Sequence, residues 1–267
     1  MEKTNVRTER KPKGAPPHAG TRTDLTGNPV KNAILLSIPD KEFTLLRPHL
    51  EPVDMPTHRI LHEAGERIQF AYFLNDGLAS LVVLTRDGRS VEIAIVGREG
   101  LVGTPLAVGL HRGPYRAIMQ IPGNGLRVKS ALFEDCLPNT PELRLILNRY
   151  TLIQGLQVAQ IAACNRLHEI DQRLARWLLM CQDRMDSELL AVTHDFLAQM
   201  LGTGRPSVSL ASGLLQRAGV IENQRGTVKI LNRKSLEDSA CECYRAMQHF
   251  GGDYSAHSSL REPLRRS

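Results

Sequence analysis

The stretch FLAQMLGTGRPSVSLASGLLQRAGVI, residues 196–221, contains two apolar patterns of helical period separated by Gly-Thr-Gly-Arg-Pro. Two glycines and a proline this close together end a helix, because glycine weakens a helix and proline lacks the amide hydrogen that its interior needs. The helical spacing resumes directly after the interruption. We therefore predict two short helices joined by a tight turn.

The residues around the turn support this prediction. Thr193 is a suitable N-cap for the first helix, and Gly202 tolerates the positive φ of a sharp turn. Pro206, at the first position of the second helix, would lose no hydrogen bond there. We expect the second helix to bury Val208, Ala211, Leu214 and Leu215 and to expose Arg205, Ser207, Ser209 and Ser212 at its front. Two helices joined in this way form a helix-turn-helix unit.

The exposed front of the second helix carries side chains that suit DNA. An α-helix fits the major groove with its first residues at the base edges. Arg205 can donate two hydrogen bonds to guanine, and serine hydroxyls can reach bases or phosphates. An ordinary helical hairpin with a small polar face is the alternative interpretation of this fragment.

The part of the chain before residue 196 shows two further patterns of apolar residues. From residue 59 to 128, short apolar segments end in glycine turns such as Asp87-Gly88, which predicts an all-β sandwich or barrel. From Pro141 onward, a long helix is apolar over so much of its circumference that it must bury two faces. A second copy of the chain is the simplest cover for the second face, and a core helix within one chain is the alternative.

The ends of the chain lack an apolar pattern. Residues 1–31 contain seven Lys or Arg against three Asp or Glu, and we expect a flexible basic arm there and a flexible tail at residues 241–267. No apolar run is long enough for a bilayer and no signal peptide is present, so we expect a cytoplasmic protein. The five cysteines are scattered, and Cys241-Glu-Cys243 alone is a weak metal or redox signal, so we predict no metal site. The absence of hydrolase, nucleotide-binding-loop and zinc-protease motifs predicts that the chain is not an enzyme and has no catalytic residues.

The order of these parts resembles the cyclic-AMP receptor / fumarate-nitrate regulator (Crp/Fnr) superfamily of bacterial transcription factors. The resemblance is carried by ILHEAGERIQFAYFLNDGLASLVVLTRDGRSVEIAIVGREGLVG (60–103) and VTHDFLAQMLGTGRPSVSLASGLLQRAGVIENQRGTVKILNRKSLE (192–237). It implies an α+β fold with a β-roll of the cyclic-nucleotide-binding type (a double-stranded β-helix), a long dimerisation helix and a winged helix-turn-helix. The expected division is arm 1–31, β-roll 32–140, dimerisation helix 141–166, winged helix-turn-helix domain 167–240 and tail 241–267.

The resemblance also implies a function. Members of this superfamily are homodimers in which an effector-sensing β-roll sets two recognition helices on a palindromic operator in double-stranded DNA, and activators also contact RNA polymerase. Here Pro206 and Leu210 replace a glutamate and an arginine of the best-known reading set, so the target sequence must differ. We assign base readout to Arg205, Ser207 and Ser209, and phosphate contacts to Thr193, Thr203, Ser212, Arg225 and Lys229. The alternative is a small-molecule or nucleotide sensor that acts on protein partners through a degenerate helix-turn-helix.

The residues at the expected effector-binding positions differ more strongly from the family's pattern. Glu99 and Gly100 fall where nucleotide-binding members have a Gly-Glu element, and Tyr115 with Arg116 occupies the place of their phosphate-binding Arg-Ser/Thr pair. These four residues are the candidate effector pocket, and their altered order argues against cyclic AMP. The first cysteine is Cys136, which argues against the N-terminal iron-sulfur cluster of one branch of the family. Haem held by a histidine stays open as an alternative, with His58, His62 and His111 as the residues considered.

Overall fold

Eight strands form two antiparallel four-stranded sheets in the N-terminal half of the chain. The computed structural model describes residues 22–185 and 187–255. The strands are β1 Glu51–Met55, β2 Ile60–His62, β3 Phe70–Leu74, β4 Leu78–Leu84, β5 Ser90–Val96, β6 Leu101–Val102, β7 Arg116–Ile121 and β8 Gly123–Lys129. Their order is β1-β8-β3-β6 in one sheet and β2-β7-β4-β5 in the other. Strands β1–β8 together are called the β-roll, and the predicted fold class is confirmed.

Glycine turns and alternating burial explain why these segments are strands. Gly77, between β3 and β4, has φ +84°, and Gly88, between β4 and β5, has φ +81°. Both values lie in the left-handed region that glycine adopts without steric cost, and the turn at Gly88 is the one that the Asp87-Gly88 motif predicts. Along β7, buried residues alternate with half-buried ones, so one face of this strand is turned to the interior of the roll and the other toward its surroundings.

Three short helices flank the β-roll, and part of the predicted flexible arm packs against them. They are α1 Ala33–Ser37, α2 Asp40–Leu46 and α3 Ser130–Cys136. The buried guanidinium of Arg22 donates hydrogen bonds to the carbonyl oxygens of Leu35 and Ile38 and forms an ion pair of 2.7 Å with Asp40. The prediction of a flexible arm is therefore wrong for residues 22–31, because a buried arginine satisfies the carbonyl oxygens around the end of α1. Residues 1–21 lie outside the described part of the chain.

Helix α4, Pro141–Leu167, follows the β-roll and begins at Pro141 as predicted. Its first half buries Leu143, Leu147 and Tyr150 in the same core as Phe133 of α3. Near its end it buries Ile161 and Cys164 in a second core, which belongs to the C-terminal part of the chain. A further face of the helix is exposed, and its large apolar members are Leu145, Leu152, Leu156 and, at the helix end, Leu167. None of the described helices combines the length and apolarity that a bilayer crossing requires.

The C-terminal domain, defined here as residues 170–239, contains four helices and a small sheet. Its elements are α5 Ile170–Met185, β9 Leu189–Leu190, α6 His194–Met200, α7 Arg205–Arg217, β10 Ile221–Gln224, β11 Thr227–Ile230 and α8 Arg233–Ser239. The sheet has the order β10-β11-β9. Trp177 of α5 is fully buried at the centre of this domain, with its ring edge-on to Phe196 of α6 at 5.7 Å.

A last helix, α9 Cys243–Ser255, packs against α4 and corrects the predicted flexible tail. Cys241, Cys243, Tyr244 and Met247 are all buried in the core of the C-terminal domain. The spacing of the last three residues places them on one helical face, which a search for leucine and isoleucine stripes does not reveal. Residues 256–267 of the predicted tail lie outside the described part.

The β-roll and the C-terminal domain share a core. Leu78, Val82, Ile95 and Ile121 of the roll belong to the same buried cluster as Trp177. At the centre of this interface, the Trp177 indole Nε1 donates a hydrogen bond of 2.6 Å to the buried carboxylate of Glu92 on β5, and the Ser80 hydroxyl donates to its other oxygen. The two parts are therefore joined by apolar contacts around one carboxylate.

Burial makes the interface carboxylate sensitive to pH. Desolvation raises the pKa of Glu92 from 4.5 to about 7, against the opposing effects of hydrogen bonds from Ser80 and Trp177 and of the charges of Arg176 and Arg184. The folded chain therefore holds a proton between pH 4.5 and 7 that the unfolded chain has released. The stability that this proton contributes is complete at acidic pH and is lost as the pH rises through 7.

We predict that Glu92→Gln removes this dependence. Glutamine is neutral at every pH and still offers Trp177 an acceptor, so the variant should be more stable than the unaltered chain at pH 8 and should lose that advantage at pH 5. Urea unfolding followed by Trp177 fluorescence at both pH values measures the difference, with exposed Glu222→Gln as the control. An equal effect of Glu92→Gln at both pH values would contradict the prediction.

Candidate nucleic-acid interface

Helices α6 and α7 form the helix-turn-helix that the sequence predicts. The Thr193 hydroxyl oxygen caps α6 by accepting a hydrogen bond of 3.2 Å from the amide of Phe196. Gly202 then turns the chain with φ +60°, and the amide of Thr203 closes the turn by donating to the Ala198 carbonyl at 2.9 Å. The N-cap and the glycine turn are therefore confirmed.

Helix α7 begins one residue earlier than predicted. Arg205 is its first residue, so Pro206 occupies the second position and not the first. The preceding residue, Gly204, is exposed and has no side chain that could cap the first turn. The amide groups at the start of a helix carry partial positive charge, so this end attracts anions.

The front of α7 is exposed much as predicted. Arg205, Ser207 and Ser209 are exposed, whereas Val208, Ala211 and Leu215 are buried. Leu214 corrects the prediction, because 45% of it is exposed. Leu210 is 64% exposed, so α7 also presents an apolar side chain beside its polar front.

Two side chains of α6 contact the predicted readout residues, and sequence reasoning did not identify them. Asp195 lies 3.4 Å from the Arg205 guanidinium, and both side chains are about two-thirds exposed. His194 Nδ1 lies 3.0 Å from the Ser209 hydroxyl. The sequence does not reveal these pairs, because contacts between two helices cannot be read from the period of one.

Ser212 has a structural role and not the predicted phosphate contact. It is completely buried, and its hydroxyl donates a hydrogen bond of 2.7 Å to the Asn223 side-chain oxygen on β10. Asn223 also donates from its backbone and side-chain nitrogens to the Gln216 oxygen, at 3.0 and 2.7 Å. These bonds join α7 to the hairpin that follows it. Ser212 faces this hairpin because it lies next to Ala211 and Leu215 on the buried side of the helix.

The hairpin β10–β11 is the predicted wing. Gly226 makes its turn with φ +76°, and Arg225 beside it is exposed at the tip. Lys229 lies half-buried on β11, Thr203 is half-buried in the turn before α7, and Thr193 is exposed at the start of α6. These four predicted phosphate contacts therefore lie at the helix-turn-helix and on its wing, where a solvent-facing ligand can reach them.

The candidate effector residues are not brought together in one pocket. Glu99 accepts a hydrogen bond of 2.8 Å from the Arg184 guanidinium on α5. Gly100 packs against Tyr150 of α4 so closely that a Cβ there would lie 1.9 Å from the hydroxyl oxygen. Both residues thus connect the β-roll to the helices that follow it.

Arg116 instead lines a cleft between the β-roll and α6. Its guanidinium forms an ion pair of 2.8 Å with Glu63, on the face of β7 that is turned away from the inside of the roll. The cleft has a volume of about 290 Å³, and Phe196, Gln199 and Met200 are among its lining residues. A phosphate bound inside the roll would therefore not meet this arginine.

Tyr115 belongs to a chain of polar side chains that the sequence did not reveal. Its ring lies 5.4 Å from that of His62, its hydroxyl bonds with Thr104, and the Thr104 hydroxyl donates to Gln154 of α4 at 3.0 Å. His62 is buried, which lowers its pKa, and neither of its ring nitrogens has a hydrogen-bond partner among the described residues. The four residues His62, Thr104, Tyr115 and Gln154 are called the inner polar chain.

The three histidines considered for haem lie apart. His58 lines the cleft beside α6, with φ +66°, and His111 pairs with Glu134 of α3 at 3.1 Å. Of these three histidines, His62 alone is buried inside the β-roll. The fold therefore offers one histidine, and not a set, to any group inside the roll.

We predict that Ser212→Ala destabilises the chain by about 1 kcal/mol, because it removes a buried hydrogen bond between α7 and the wing. Urea unfolding measures the loss. Ser207→Ala is the matched control, since its exposed hydroxyl should leave stability unchanged within about 0.5 kcal/mol. Unchanged stability of Ser212→Ala combined with weaker DNA binding would restore the phosphate role.

Comparison with known proteins agrees with this geometry. Residues 172–239 match the model of the Crp-like helix-turn-helix domain. The transcriptional regulator SdrP of Thermus thermophilus is 24% identical over 181 residues, which cover 64% of this chain and 83% of SdrP.

Two solved structures share the fold. A Crp/Fnr-family transcriptional regulator from Eubacterium rectale has a TM-score of 0.62 at 15% identity, over 80% of this chain and 98% of the other. The c-di-GMP-responsive global regulator CLP of Xanthomonas campestris has a TM-score of 0.61 at 15% identity, over 73% of this chain and all of CLP.

The matched domain includes α6, α7 and the wing, and the shared fold extends over the β-roll and α4. Residues 172–239 therefore form a Crp-like helix-turn-helix domain, and the chain as a whole shares the fold of solved Crp/Fnr-family regulators.

Proposed function

We propose that this protein is a homodimeric, sequence-specific DNA-binding regulator, in which the state of an effector-sensing β-roll sets the two α7 helices on a palindromic operator. The observation that carries the proposal is the exposed front of α7, where Arg205, Ser207 and Ser209 stand at an uncapped helix start. Such a helix enters the major groove with these residues leading.

Base readout would use both the polar and the apolar side chains of this front. Arg205 can donate two hydrogen bonds to guanine, and its pair with Asp195 is weak enough to exchange because both groups are exposed. The hydroxyl groups of Ser207 and Ser209 can donate a hydrogen bond to a base edge or accept one from it. Leu210 is exposed on this front and can contact the methyl group of a thymine. A helix with leucine at this position would therefore favour a different operator from a helix with arginine there.

Phosphate contacts would position the domain on the duplex. Thr193 caps the first helix of the helix-turn-helix and Thr203 lies in its turn, whereas Arg225 and Lys229 add positive charge on the wing. Such contacts add affinity and salt dependence but no sequence preference. A regulator that activates transcription from such a site would also contact RNA polymerase.

We predict that Arg205→Ala weakens binding to the selected operator about tenfold or more, because a bidentate contact to guanine is worth about 1–3 kcal/mol. The measurement is fluorescence anisotropy with an operator obtained by selection from random oligonucleotides. Exposed Arg67→Ala in the β-roll, which removes the same charge elsewhere, is the control.

Two outcomes would contradict this assignment. An unaltered footprint of Arg205→Ala would exclude α7 as the reading helix. DNA affinity that does not fall as salt rises would favour a sensor acting on protein partners, because phosphate contacts release counterions.

The proposed dimer interface is the exposed apolar face of α4. Leu145, Leu152 and Leu156 are 41%, 66% and 40% exposed, and they are spaced seven and four residues apart. This spacing is that of a coiled-coil seam. The small residues Gly155 and Ala159 lie exposed beside it and would let two helices approach closely. A two-fold axis along this seam would place two α7 helices on a palindromic site.

We predict that Leu152→Glu converts the dimer to a monomer, because it places a charge in the middle of the seam. Sedimentation velocity over a range of concentrations measures the change. Leu110→Glu is the control, since Leu110 is similarly exposed, at 59%, but lies in the β-roll. A Leu152→Glu dimer of undiminished affinity would place the interface elsewhere.

Side-chain contacts between the two domains offer a route for coupling. Glu92 bonds to Trp177, Glu99 to Arg184, and Gln199 of α6 donates to Ser90 of β5 at 2.7 Å. A shift of β5 or of the segment after it would therefore move α5 and α6 together. The inner polar chain, whose His62 and Gln154 nitrogens have no hydrogen-bond partner in the described part of the chain, is the best-supported location for an effector. Because Arg116 faces the outer cleft, we do not propose cyclic AMP as that effector.

A further inference from the structure

Four potential metal ligands meet where α4 ends. Cys164 lies in the last turn of α4, and His168 is the C-cap residue directly after it. Cys241 and Cys243 come from the segment between α8 and α9 and from the start of α9. One ligand atom from each of the four residues lies within 4.8 Å of all the others, and the three cysteines are buried.

The distances within this cluster match those of a tetrahedral site. With zinc–sulfur bonds of about 2.3 Å and zinc–nitrogen bonds of about 2.0–2.1 Å, two sulfur ligands lie about 3.8 Å apart and a sulfur and a nitrogen about 3.5 Å apart. The Cys164 and Cys241 sulfurs are separated by 3.5 Å, and the Cys243 sulfur is 3.6 Å from His168 Nδ1. Three thiolates and one imidazole are a common ligand set of structural zinc.

The surroundings orient the ligands. His168 Nε2 lies 3.1 Å from the Glu242 carboxylate, so this nitrogen can carry the proton while Nδ1 faces the sulfurs. A carboxylate in this position is typical of histidines that bind zinc. The Gln160 amide donates a hydrogen bond of 3.0 Å to the Cys243 sulfur, as second-layer donors do to bound thiolates.

Two arginines supply compensating charge beside the cluster. Arg176 is only 3% exposed, and the Nε atoms of both Arg173 and Arg176 are buried with no hydrogen-bond partner among the described residues. Both arginines interact electrostatically with Cys164 and Cys241. Zn²⁺ bound by three thiolates and a neutral imidazole carries a net charge of −1, which buried guanidinium groups would stabilise.

We propose that Cys164, His168, Cys241 and Cys243 bind one Zn²⁺ ion. The site is closed, with four protein ligands, and is therefore structural. It fastens the segment before α9 to the junction of α4 and α5, where the C-terminal domain leaves the long helix. A disulfide between Cys164 and Cys241 is the competing arrangement, but it leaves the convergence of Cys243 and His168 unexplained.

The first test is the metal content of the full chain purified under reducing conditions, loaded with excess zinc sulfate and dialysed. Mass spectrometry of the metal is expected to find about one zinc per chain, as in other closed four-ligand sites. Cys243→Ser should lose most of this zinc, whereas Cys136→Ser, the same change outside the cluster, should keep it. Zinc below one-tenth per chain in the unaltered protein, or undiminished zinc in Cys243→Ser, would overturn the proposal.

The second test needs no variant and so does not depend on whether one folds. The chelator-treated chain is titrated with Co²⁺ under the same reducing conditions. One equivalent should produce the visible absorption of tetrahedral cobalt and the near-ultraviolet thiolate band. A spectrum without these bands overturns the site. A second contrary result would come from protein that is purified without reductant and still contains zinc: a Cys164–Cys241 disulfide found there by mass analysis would show that the zinc is bound elsewhere.

Discussion

Helix α4 carries apolar side chains on several faces, and the arrangement of the other parts follows from how each face is covered. Leu143, Leu147 and Tyr150 lie against the β-roll, and Ile161 and Cys164 lie against the C-terminal domain and α9. These contacts attach both domains to one helix of 27 residues. A helix of this kind cannot be stable alone in water, because apolar surface that is removed from solvent supplies most of its stability.

The contact between the domains consists of apolar side chains and a few polar pairs, and the pair of Glu92 and Trp177 is buried among them. Glu92 sits fully buried between Ser80 and Trp177, where its ionised form is costly and its hydrogen bonds only partly offset that cost. A core that contains such a group is less stable than an apolar core, and its stability changes with the protonation of that group. This property is compatible with the coupling between the two domains that we propose.

The helix-turn-helix was largely predictable because its signals are local. Gly202 marks the turn, Thr193 marks a cap, and the period of α7 separates Val208, Ala211 and Leu215 from the front. The errors lie where a second element intervenes. Ser212 faces the wing and bonds to Asn223, and Leu214 is partly exposed although the adjacent Leu215 is buried. The positions of the candidate effector residues were less predictable. The direction in which Arg116 points, for example, depends on the register of β7 in its sheet.

The sequence by itself determined the order of β-roll, long helix and helix-turn-helix, the glycine turns and the N-cap of α6. Each of these depends on φ preferences, caps and hydrophobic period within a few residues. Only the tertiary structure decided that Arg22 is buried, that His62 joins the inner polar chain, and that Cys164 and His168 meet Cys241 and Cys243. Residues 73 or more positions apart approach only when separate helices pack, and local spacing contains no record of that approach.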